Sequence, residues 1–136
     1  MPDPSTAAAS VGIRGGNATI FVSDMDRAVR FYTETLGLNL QYRADDHFAM
    51  IDAGGGLNLG LHPPAKNAGA PGTSGGIQVG LTIERPIDDV VRDLTSRGVT
   101  FAKIDGKTIV DDGTVKLAFF GDPDGNDLYL CEVAHP

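Results

Sequence analysis

The stretch NATIFVSDMDRAVRFYTETLG, residues 17–37, decides the fold of this chain. Alternating apolar and polar residues predict a strand over residues 17–23, and apolar residues at helical spacing then predict a helix. A looser copy, QVGLTIERPIDDVVRDLTSRG, occupies residues 78–98, 61 positions further along the chain. A repeat of this length is typical of two copies of one supersecondary unit, so we expect two similar halves.

The first half is predicted to contain one helix and four strands. Ser23 or Asp24 is suited to cap the helix, and Gly37 is suited to end it. Asp and Gly residues with turn-forming character then separate short apolar runs. These runs predict three further strands, over residues 39–43, 48–52 and 57–62.

The second half repeats this order after a segment rich in Pro, Gly and Ala. Residues 63–76 have no apolar periodicity and predict a linker. The second half begins at Ile77, and its helix is predicted over residues 87–97, with Pro86 in the first turn and Gly98 at the end. The remaining strands are predicted over residues 100–103, 117–121 and 127–133, with a turn at residues 111–113.

Each half therefore has the order β-α-β-β-β, and three strands after each helix distinguish it from a ferredoxin-like repeat. We predict an α+β fold in which two tandem βαβββ modules form a curved mixed sheet that encloses a cleft. The modules span residues 17–62 and 77–133 of one domain and are joined by the linker 63–76. Residues 1–16 are predicted to be a flexible tail because they are rich in Pro, Ser, Ala and Gly.

The composition argues against several classes of protein. A formal charge of −7 without a Lys/Arg cluster argues against nucleic acid, because phosphates are bound by neutralising them. No apolar run approaches the roughly 20 residues of a membrane span, and residues 1–16 lack the features of a secretory signal. The single Cys131 excludes an internal disulfide and fits a reducing cytoplasm. We therefore expect a cytoplasmic protein that binds a neutral or cationic small molecule.

Side chains alternate across a strand, so one face of each sheet packs on its helix and the other is open. The open positions are Asn17, Thr19 and Phe21; Asn58, Gly60 and His62; Gln78, Gly80 and Thr82; and Asp127, Tyr129 and Cys131. The polar members either line a pocket or form hydrogen bonds among themselves. Phe48, Met50 and Phe119 are suited to apolar walls or to the core, and His47 is suited to the rim.

Other candidate residues have simpler structural interpretations. Asp24 and Asp26 at a helix start are a cap and a dipole partner. Asp122 and Asp124 are interpreted as turn residues. Cys131 has no adjacent His or Lys in the pattern to activate its thiol, which favours a small apolar role.

The two modules, the segment VSDMDRAVRFYTETLGL and the turn DPDGN resemble the vicinal oxygen chelate superfamily. This superfamily includes glyoxalase I, extradiol dioxygenases, fosfomycin-resistance enzymes and bleomycin-binding resistance proteins. The resemblance covers residues 17–133 and implies the cleft-enclosing fold and a homodimer. It does not by itself imply a particular reaction.

The resemblance also implies where a metal ion would bind, on the first and last strands of each module. These positions fall at Asn17, Gly60, Gln78 and Tyr129, and only Gln78 is of a residue type that the superfamily uses. A Zn or Fe site needs three or four strong donors, so the usual set is missing. His62 and Gln78 remain weak candidate ligands. Glu132 is chemically suitable but has the wrong strand parity.

We therefore expect a small-molecule-binding protein without metal or other cofactor, of the bleomycin-resistance type, acting on an antibiotic or xenobiotic. The alternative is a metal-dependent glyoxalase, lyase or extradiol-dioxygenase-like enzyme with an atypical ligand set such as His62, Gln78 and a carboxylate. The predicted ligand-binding residues are Asn17, Thr19, Phe21, His47, Met50, Gly60, His62, Gln78 and Tyr129. No nucleic-acid or membrane partner is expected.

Overall fold

The computed structural model of the chain describes residues 17–65, 69–73 and 77–133. The predicted tail at residues 1–16 and parts of the predicted linker lie outside the described residues. In chain order, the elements are β1 (Ala18–Phe21), α1 (Met25–Arg30, continued by a π-helical segment, Phe31–Thr35), β2 (Asn39–Ala44), β3 (Phe48–Gly54), β4 (Leu57–His62), β5 (Val79–Thr82), α2 (Ile87–Ser96), β6 (Val110–Asp111), β7 (Val115–Gly121) and β8 (Asp127–Val133).

The strands form two four-stranded sheets, one in each module. Sheet A has the order β1-β4-β3-β2, and sheet B has the order β5-β8-β7-β6. In each sheet the first strand lies parallel to the last, and the other neighbours are antiparallel. A parallel pair requires a crossover connection, which the helix and the two intervening strands supply. The predicted α+β fold of two βαβββ modules is confirmed.

Helix α1 begins and ends where the sequence predicts. The Asp24 carboxylate accepts a hydrogen bond from the Arg27 amide at 3.1 Å and caps the helix. Gly37 follows the helix with a φ of +75°, a left-handed conformation that glycine adopts without steric cost. The last turn differs from the prediction, because the Leu36 amide donates to the Phe31 carbonyl five residues back and makes this turn π-helical.

Helix α2 obtains its N-terminal cap from a strand of the same module. Pro86 precedes the helix and caps it with no side-chain hydrogen bond. The Glu132 carboxylate of β8 instead accepts a hydrogen bond from the Ile87 amide at 2.9 Å. A carboxylate at this end of a helix also interacts favourably with the helix dipole. Glu132 therefore faces the helix, as its strand parity predicts.

One predicted strand is wrong. Residues 100–103 do not form a strand, and only Phe101 makes an isolated bridge, to Phe120. A tight turn closed by Ile104 and Lys107, with positive φ at both central residues, interrupts the extended segment. The fourth strand of sheet B is instead β6, which pairs with β7 across the predicted turn at residues 111–113.

The apolar core lies on the helix side of each sheet, as the alternation predicts. Fully burying a Val, Leu, Ile or Phe side chain contributes about 1.5–3 kcal/mol, so this face supplies much of the stability. The buried residues on and beside the strands are Ile20, Val22, Ala49, Ile51, Leu59, Leu61, Ala118, Phe120, Leu128 and Leu130, and the helices add Met25, Ala28, Val29, Tyr32, Ile87 and Leu94. No helix within the described part of the chain is long and apolar enough to cross a membrane.

The turn between β7 and β8 joins the two modules. Ser23, at the start of α1, donates its amide to the Asp124 carboxylate at 3.0 Å and its hydroxyl to the same carboxylate. The Asn126 side chain donates to the last carbonyl of β1, an edge strand, at 2.9 Å. The Tyr32 hydroxyl donates to the Asp122 carboxylate, also at 2.9 Å. We refer to Ser23, Tyr32, Asp122, Asp124 and Asn126 as the module clasp.

Asp122 is the buried centre of the module clasp and is only 6% exposed. Its carboxylate also accepts the backbone amides of Asp124 and Asn126, at 3.0 Å and 2.9 Å. Such a buried carboxylate is tolerated because donors surround it. Burial and then the nearby charge of Asp122 raise the pKa of Tyr32, so its phenol stays protonated and donates. Interpreting Asp122 and Asp124 only as turn residues misses this link between the modules.

Part of the segment between the modules packs on the module clasp. The Gly72 amide donates to Oδ1 of Asn126 at 2.9 Å. Gly72 has a φ of +79°, and a Cβ at this position would collide with the Asp124 carbonyl oxygen. Only glycine fits this backbone conformation and this contact. The predicted linker is therefore held against the β7–β8 turn at Gly72.

Candidate functional site

The open face of sheet A is arranged in rows that cross its four strands. The strand registers, continued by one residue at the strand ends, place one residue of each strand in each row. The rows are Asn17, Asn58, Asp52 and Asn39; Thr19, Gly60, Met50 and Tyr42; and Phe21, His62, Phe48 and Ala44. The face therefore changes from amide and carboxylate groups at one end to aromatic rings at the other.

Neighbouring side chains on this face contact one another. The rings of Phe21 and His62 meet edge to face with their centroids 5.6 Å apart, a favourable aromatic geometry. The Asn17 amide donates to the Thr19 hydroxyl at 3.2 Å. These contacts bring together four of the residues that the sequence predicts to bind a ligand.

The open face of sheet B has the same arrangement. Its rows are Gln78, Asp127, Gly121 and Thr100; Gly80, Tyr129, Phe119 and Ala102; and Thr82, Cys131, Leu117 and Val110. The rings of Phe119 and Tyr129 lie 5.7 Å apart between centroids. Residues 100 and 102 continue the edge beyond β6, because the Ala102 amide donates to the Phe119 carbonyl at 2.8 Å.

Two glycines allow side chains to lie flat across these faces. A Cβ on Gly60 would lie 2.8 Å from Nδ2 of Asn17 and 3.1 Å from the Phe48 ring. A Cβ on Gly80 would collide with the Tyr129 ring. Both approaches are closer than normal contacts, so these glycines make room for neighbouring polar and aromatic groups.

The residues at the implied metal positions do not fit a metal site of the superfamily type. Gly60 has no side chain, and the Asn17 amide is hydrogen-bonded to Thr19. The Tyr129 ring lies over Gly80. Within residues 17–65, 69–73 and 77–133, no group of three or more His, Cys, Asp or Glu side chains is placed to hold a metal ion. Three or four strong donors are the usual requirement.

The two histidines of the predicted site have different environments. His62 lies half-buried on the open face of sheet A, with Nδ1 2.7 Å from the Pro63 carbonyl oxygen. His47 is exposed in the turn between β2 and β3, one residue before Phe48. His62 is therefore part of the face, whereas His47 lies at its rim.

Two further residues with reactive side chains are Asp26 and Cys131, and Asp26 has a structural role. Asp26 forms an ion pair with Arg43 at 2.6 Å, and Arg43 also contacts Asp46 at 3.1 Å. Cys131 lies half-buried on the open face of sheet B. These groups do not form an acid–base pair around a substrate position.

The open faces thus collect all the predicted ligand-binding residues except His47. Asn17, Thr19, Phe21, Met50, Gly60 and His62 lie on sheet A, and Gln78 and Tyr129 lie on sheet B. Each of the contacts described above on the open faces joins residues of one sheet. This holds for the ring contacts of Phe21 and Tyr129 and for the hydrogen bond from Asn17 to Thr19. The predicted ligand-binding set omits Thr100 and Ala102, because a strand over residues 100–103 has no register that sequence alone could fix. It also omits Asp127, although the alternation along β8 already placed this residue on the open face. Faces that combine aromatic rings with a few polar groups can bind an organic molecule through stacking and a few hydrogen bonds.

Comparison with known proteins agrees with this architecture. A family model described as Glyoxalase/Bleomycin resistance protein/Dioxygenase superfamily matches residues 15–130. A solved structure of a member of that superfamily from Sphaerobacter thermophilus is 31% identical, with a TM-score of 0.69 over 88% of this chain and 97% of that one. TnmS3, an antibiotic-binding protein from Streptomyces sp. CB03234, is 23% identical, with a TM-score of 0.74 over 93% of this chain and 100% of that one.

A glyoxalase/bleomycin resistance protein/dioxygenase from Alicyclobacillus acidocaldarius is 21% identical, with a TM-score of 0.67 over 90% of this chain and 92% of that one. At these identities, the similarity to this protein and to TnmS3 shows only that the chain shares their fold. A comparison with curated proteins finds no match. Because the family model spans most of the sequence, the chain belongs to the glyoxalase/bleomycin resistance protein/dioxygenase superfamily.

Proposed function

We propose that the chain is a metal-free small-molecule-binding protein that sequesters an antibiotic or another xenobiotic, as bleomycin-resistance proteins do. The observation that carries this proposal is the replacement of the metal donors by neutral groups beside aromatic rings. At Gly60, the position of a ligand is taken by the Asn17 amide and the Phe48 ring. Sequestration needs shape, aromatic walls and a few polar groups, and no general base. The antibiotic-binding neighbour TnmS3, which has the same fold, is consistent with this class of function.

We also propose that the protein works as a cytoplasmic homodimer without a cofactor. Strands β1 and β5 are edge strands, and the open faces of both sheets carry half-buried aromatic rings. A second copy can set sheet A of one chain against sheet B of the other and so complete a cleft. The free Cys131 supports a reducing compartment. Light scattering after size exclusion should give twice the chain mass of 14.2 kDa, and a mass of one chain would contradict the dimer.

The test of function combines metal analysis with ligand binding. Protein purified without chelator should contain far less than one equivalent of Zn, Ni, Fe or Mn after dialysis. Thermal melts with copper-free bleomycin and a panel of planar aromatic antibiotics should reveal a stabilising compound. A ligand at a hundredfold excess over its dissociation constant adds about 2.7 kcal/mol to the free energy of unfolding.

Substitutions on the open faces then test whether the stabilising compound binds there. Phe48→Ala and Tyr129→Ala should each weaken binding of the stabilising compound, because each removes an aromatic wall. Leu40→Ala, at a side chain that is 45% exposed, is the control and should leave binding unchanged. Stoichiometric metal that resists dialysis, or melts that no compound shifts, would contradict the proposal.

A further inference from the structure

The two modules have equivalent turns, but only one of these turns carries the polar side chains of the module clasp. The strand registers align the modules, since the first pairs are Ala18 with Leu59 in sheet A and Val79 with Leu128 in sheet B. The β7–β8 turn therefore corresponds to the β3–β4 turn. At the β3–β4 turn small or apolar residues replace the clasp residues, Ala53 for Asp122, Gly55 for Asp124 and Leu57 for Asn126.

A cavity of about 740 Å³ lies at the β3–β4 turn, between the first module and the helix side of sheet B. Ala53, Gly55 and Leu57 all line this inter-module cavity. A Cβ on Gly54 or Gly55 would meet no atom within 4 Å, so the turn leaves the space beside it open. The volume of the cavity is within the range of small-molecule sites.

The walls of the inter-module cavity are apolar and come from both modules. The side chains that form these walls include Leu36, Leu57, Leu81, Val90, Leu94 and Leu130. Among the described lining residues, Glu84 and Arg85 carry charged side chains, and both are exposed. Apolar cavities hold water poorly and take up apolar molecules instead. The walls therefore favour an uncharged ligand.

A hydrogen bond between the modules holds the walls that the two helices contribute. The Arg97 guanidinium, at the end of α2, donates to the Thr35 carbonyl at 2.9 Å, and the Asp93 carboxylate accepts from Arg97 at 3.0 Å. Thr35 directly precedes Leu36, and Leu94 lies in the last turn of α2. The cavity is therefore formed without a ligand.

The module clasp shows how a polar group meets the free edge of a sheet. The Val22 amide donates to the His62 carbonyl within sheet A at 2.9 Å. The N–H and C=O groups of one peptide unit point in opposite directions, so the Phe21 carbonyl faces away from β4. The Asn126 side chain donates to this carbonyl.

The equivalent carbonyl in the second module is that of Thr82. The Ile83 amide donates to the Cys131 carbonyl at 3.0 Å, so the Thr82 carbonyl faces away from β8. Thr82 lines the inter-module cavity. Leu57 takes the position of Asn126, and a leucine side chain has no donor. The cavity thus combines apolar walls with one backbone acceptor at its edge.

We propose that the inter-module cavity binds an uncharged, mainly aliphatic small molecule with one hydroxyl or amide donor, and that the Thr82 carbonyl accepts this donor. The aliphatic part of the ligand contacts the leucine and valine side chains of the walls. The ligand donor takes the role that Asn126 has in the module clasp. This site lies on the helix side of sheet B and is separate from the open faces of the proposed function.

Three compounds of similar length test the proposal on the unmodified chain. 1-Octanol has a donor, its isomer 1-methoxyheptane has none, and octanoate is charged. In carbon–proton NMR titrations, 1-octanol should shift the methyl signals of Leu57, Val90 and Leu94 to saturation and leave the Met50 methyl signal unchanged. 1-Octanol should bind about three- to tenfold more tightly than 1-methoxyheptane, since one net hydrogen bond accounts for that ratio. Octanoate should bind more weakly than both, because burial of a carboxylate is costly.

Two substitutions separate the contribution of the walls from that of the acceptor. Ala53→Leu fills part of the cavity and should weaken binding of 1-octanol and 1-methoxyheptane alike, by about tenfold. Ala70→Leu makes the same change at an exposed position away from the cavity and should leave both affinities unchanged. Leu57→Asn supplies a side-chain donor for the Thr82 carbonyl and should reduce the ratio of the two affinities to less than about twofold.

The inference would be overturned if 1-octanol gave no saturable shift of the Leu57 and Val90 signals up to its solubility limit, or if the shifts centred on Met50. Equal affinity for 1-octanol and its isomer, tighter binding of octanoate, or unchanged binding to folded Ala53→Leu would also overturn it. The comparison of compounds on the unmodified chain remains decisive if a variant does not fold. Metal content and stabilisation by antibiotics test the proposed function separately.

Discussion

At the scale of single residues, Tyr32 connects the core of the first module to the second module. It lies on the apolar side of the first helix and is fully buried, as its helical spacing predicts. Its hydroxyl nevertheless reaches the second module and donates to Asp122, 90 residues further along the chain. One side chain therefore contributes both to the core of one module and to the link between the two.

Tyr32→Phe keeps the ring and removes the hydrogen bond to Asp122. We expect the free energy of unfolding to fall by about 1–2 kcal/mol, because Asp122 keeps its backbone donors but loses one partner. Urea unfolding followed by circular dichroism measures this change. Tyr42→Phe, at a ring that is 59% exposed, is the control and should change stability by less than about 0.5 kcal/mol. Equal effects of the two substitutions would show that the bond to Asp122 contributes nothing.

The same variant reports the raised pKa of Tyr32. In the unfolded chain its phenol ionises near the ordinary value of 10.0, whereas the folded state holds it protonated at higher pH. The contribution of Tyr32 to the free energy of unfolding is therefore fully present below about pH 10 and is lost as pH rises above this value. Compared with Tyr32→Phe, the free energy of unfolding of the wild type should fall by about 1.4 kcal/mol for each pH unit above about 10. Unfolding curves on both sides of this pH measure the loss, and a constant difference would contradict it.

At the scale of elements, helix α2 depends on a contact from a distant strand as well as on its local sequence. The sequence predicts Pro86 in the first turn, whereas Pro86 precedes the helix at its N-cap position and supplies no side-chain hydrogen bond to the first amide. Glu132 supplies the missing acceptor from β8. The strand and the helix therefore stabilise each other.

Glu132→Ala should destabilise the protein by about 1–2 kcal/mol, because it removes both the acceptor for the Ile87 amide and a favourable charge at the helix start. Thermal unfolding monitored by far-ultraviolet circular dichroism measures the loss. Glu84→Ala, at an exposed glutamate just before the same helix, is the matched control and should stay within about 0.5 kcal/mol. A loss no larger than that of the control would mean that solvent caps α2 equally well.

Local signals predicted most of these elements from the sequence. Alternation and capping residues located both helices and the long strands, and strand parity located the open faces. The strand at residues 100–103 failed because its apolar residues resemble a strand locally, whereas the pairing with Phe120 ends at the turn closed by Ile104 and Lys107. The module clasp was missed because its partners lie far apart in the sequence.

At the scale of the whole molecule, the two modules and the segment between them meet at one turn. Asn126 contacts the last carbonyl of β1, the Gly72 amide and the Asp122 carboxylate. Both modules and the connecting segment therefore depend on the position of the β7–β8 turn. A change at this point should affect the stability of the entire domain.

Gly72→Ala tests this dependence, because the added methyl group collides with the Asp124 carbonyl in addition to the strain of a positive φ. Gly113→Ala is the matched control, since Gly113 has a φ of +89° but no atom within 4 Å of the position that a Cβ would take. The control should lose about 1 kcal/mol from backbone strain alone. Gly72→Ala should lose about 1–3 kcal/mol more than the control in urea unfolding. Equal losses would show that the segment does not need to pack on the turn.

The hydrogen bond from the Asn126 side chain to the Phe21 carbonyl can form only late in synthesis of the chain. The two residues are 105 positions apart, so β1 leaves the ribosome long before its partner has been made. At about 5–20 residues per second, this interval lasts roughly 5–20 s. During that time the last carbonyl of β1 lacks its Asn126 donor and can accept a hydrogen bond from another extended chain, which exposes the nascent first module to aggregation and to chaperones.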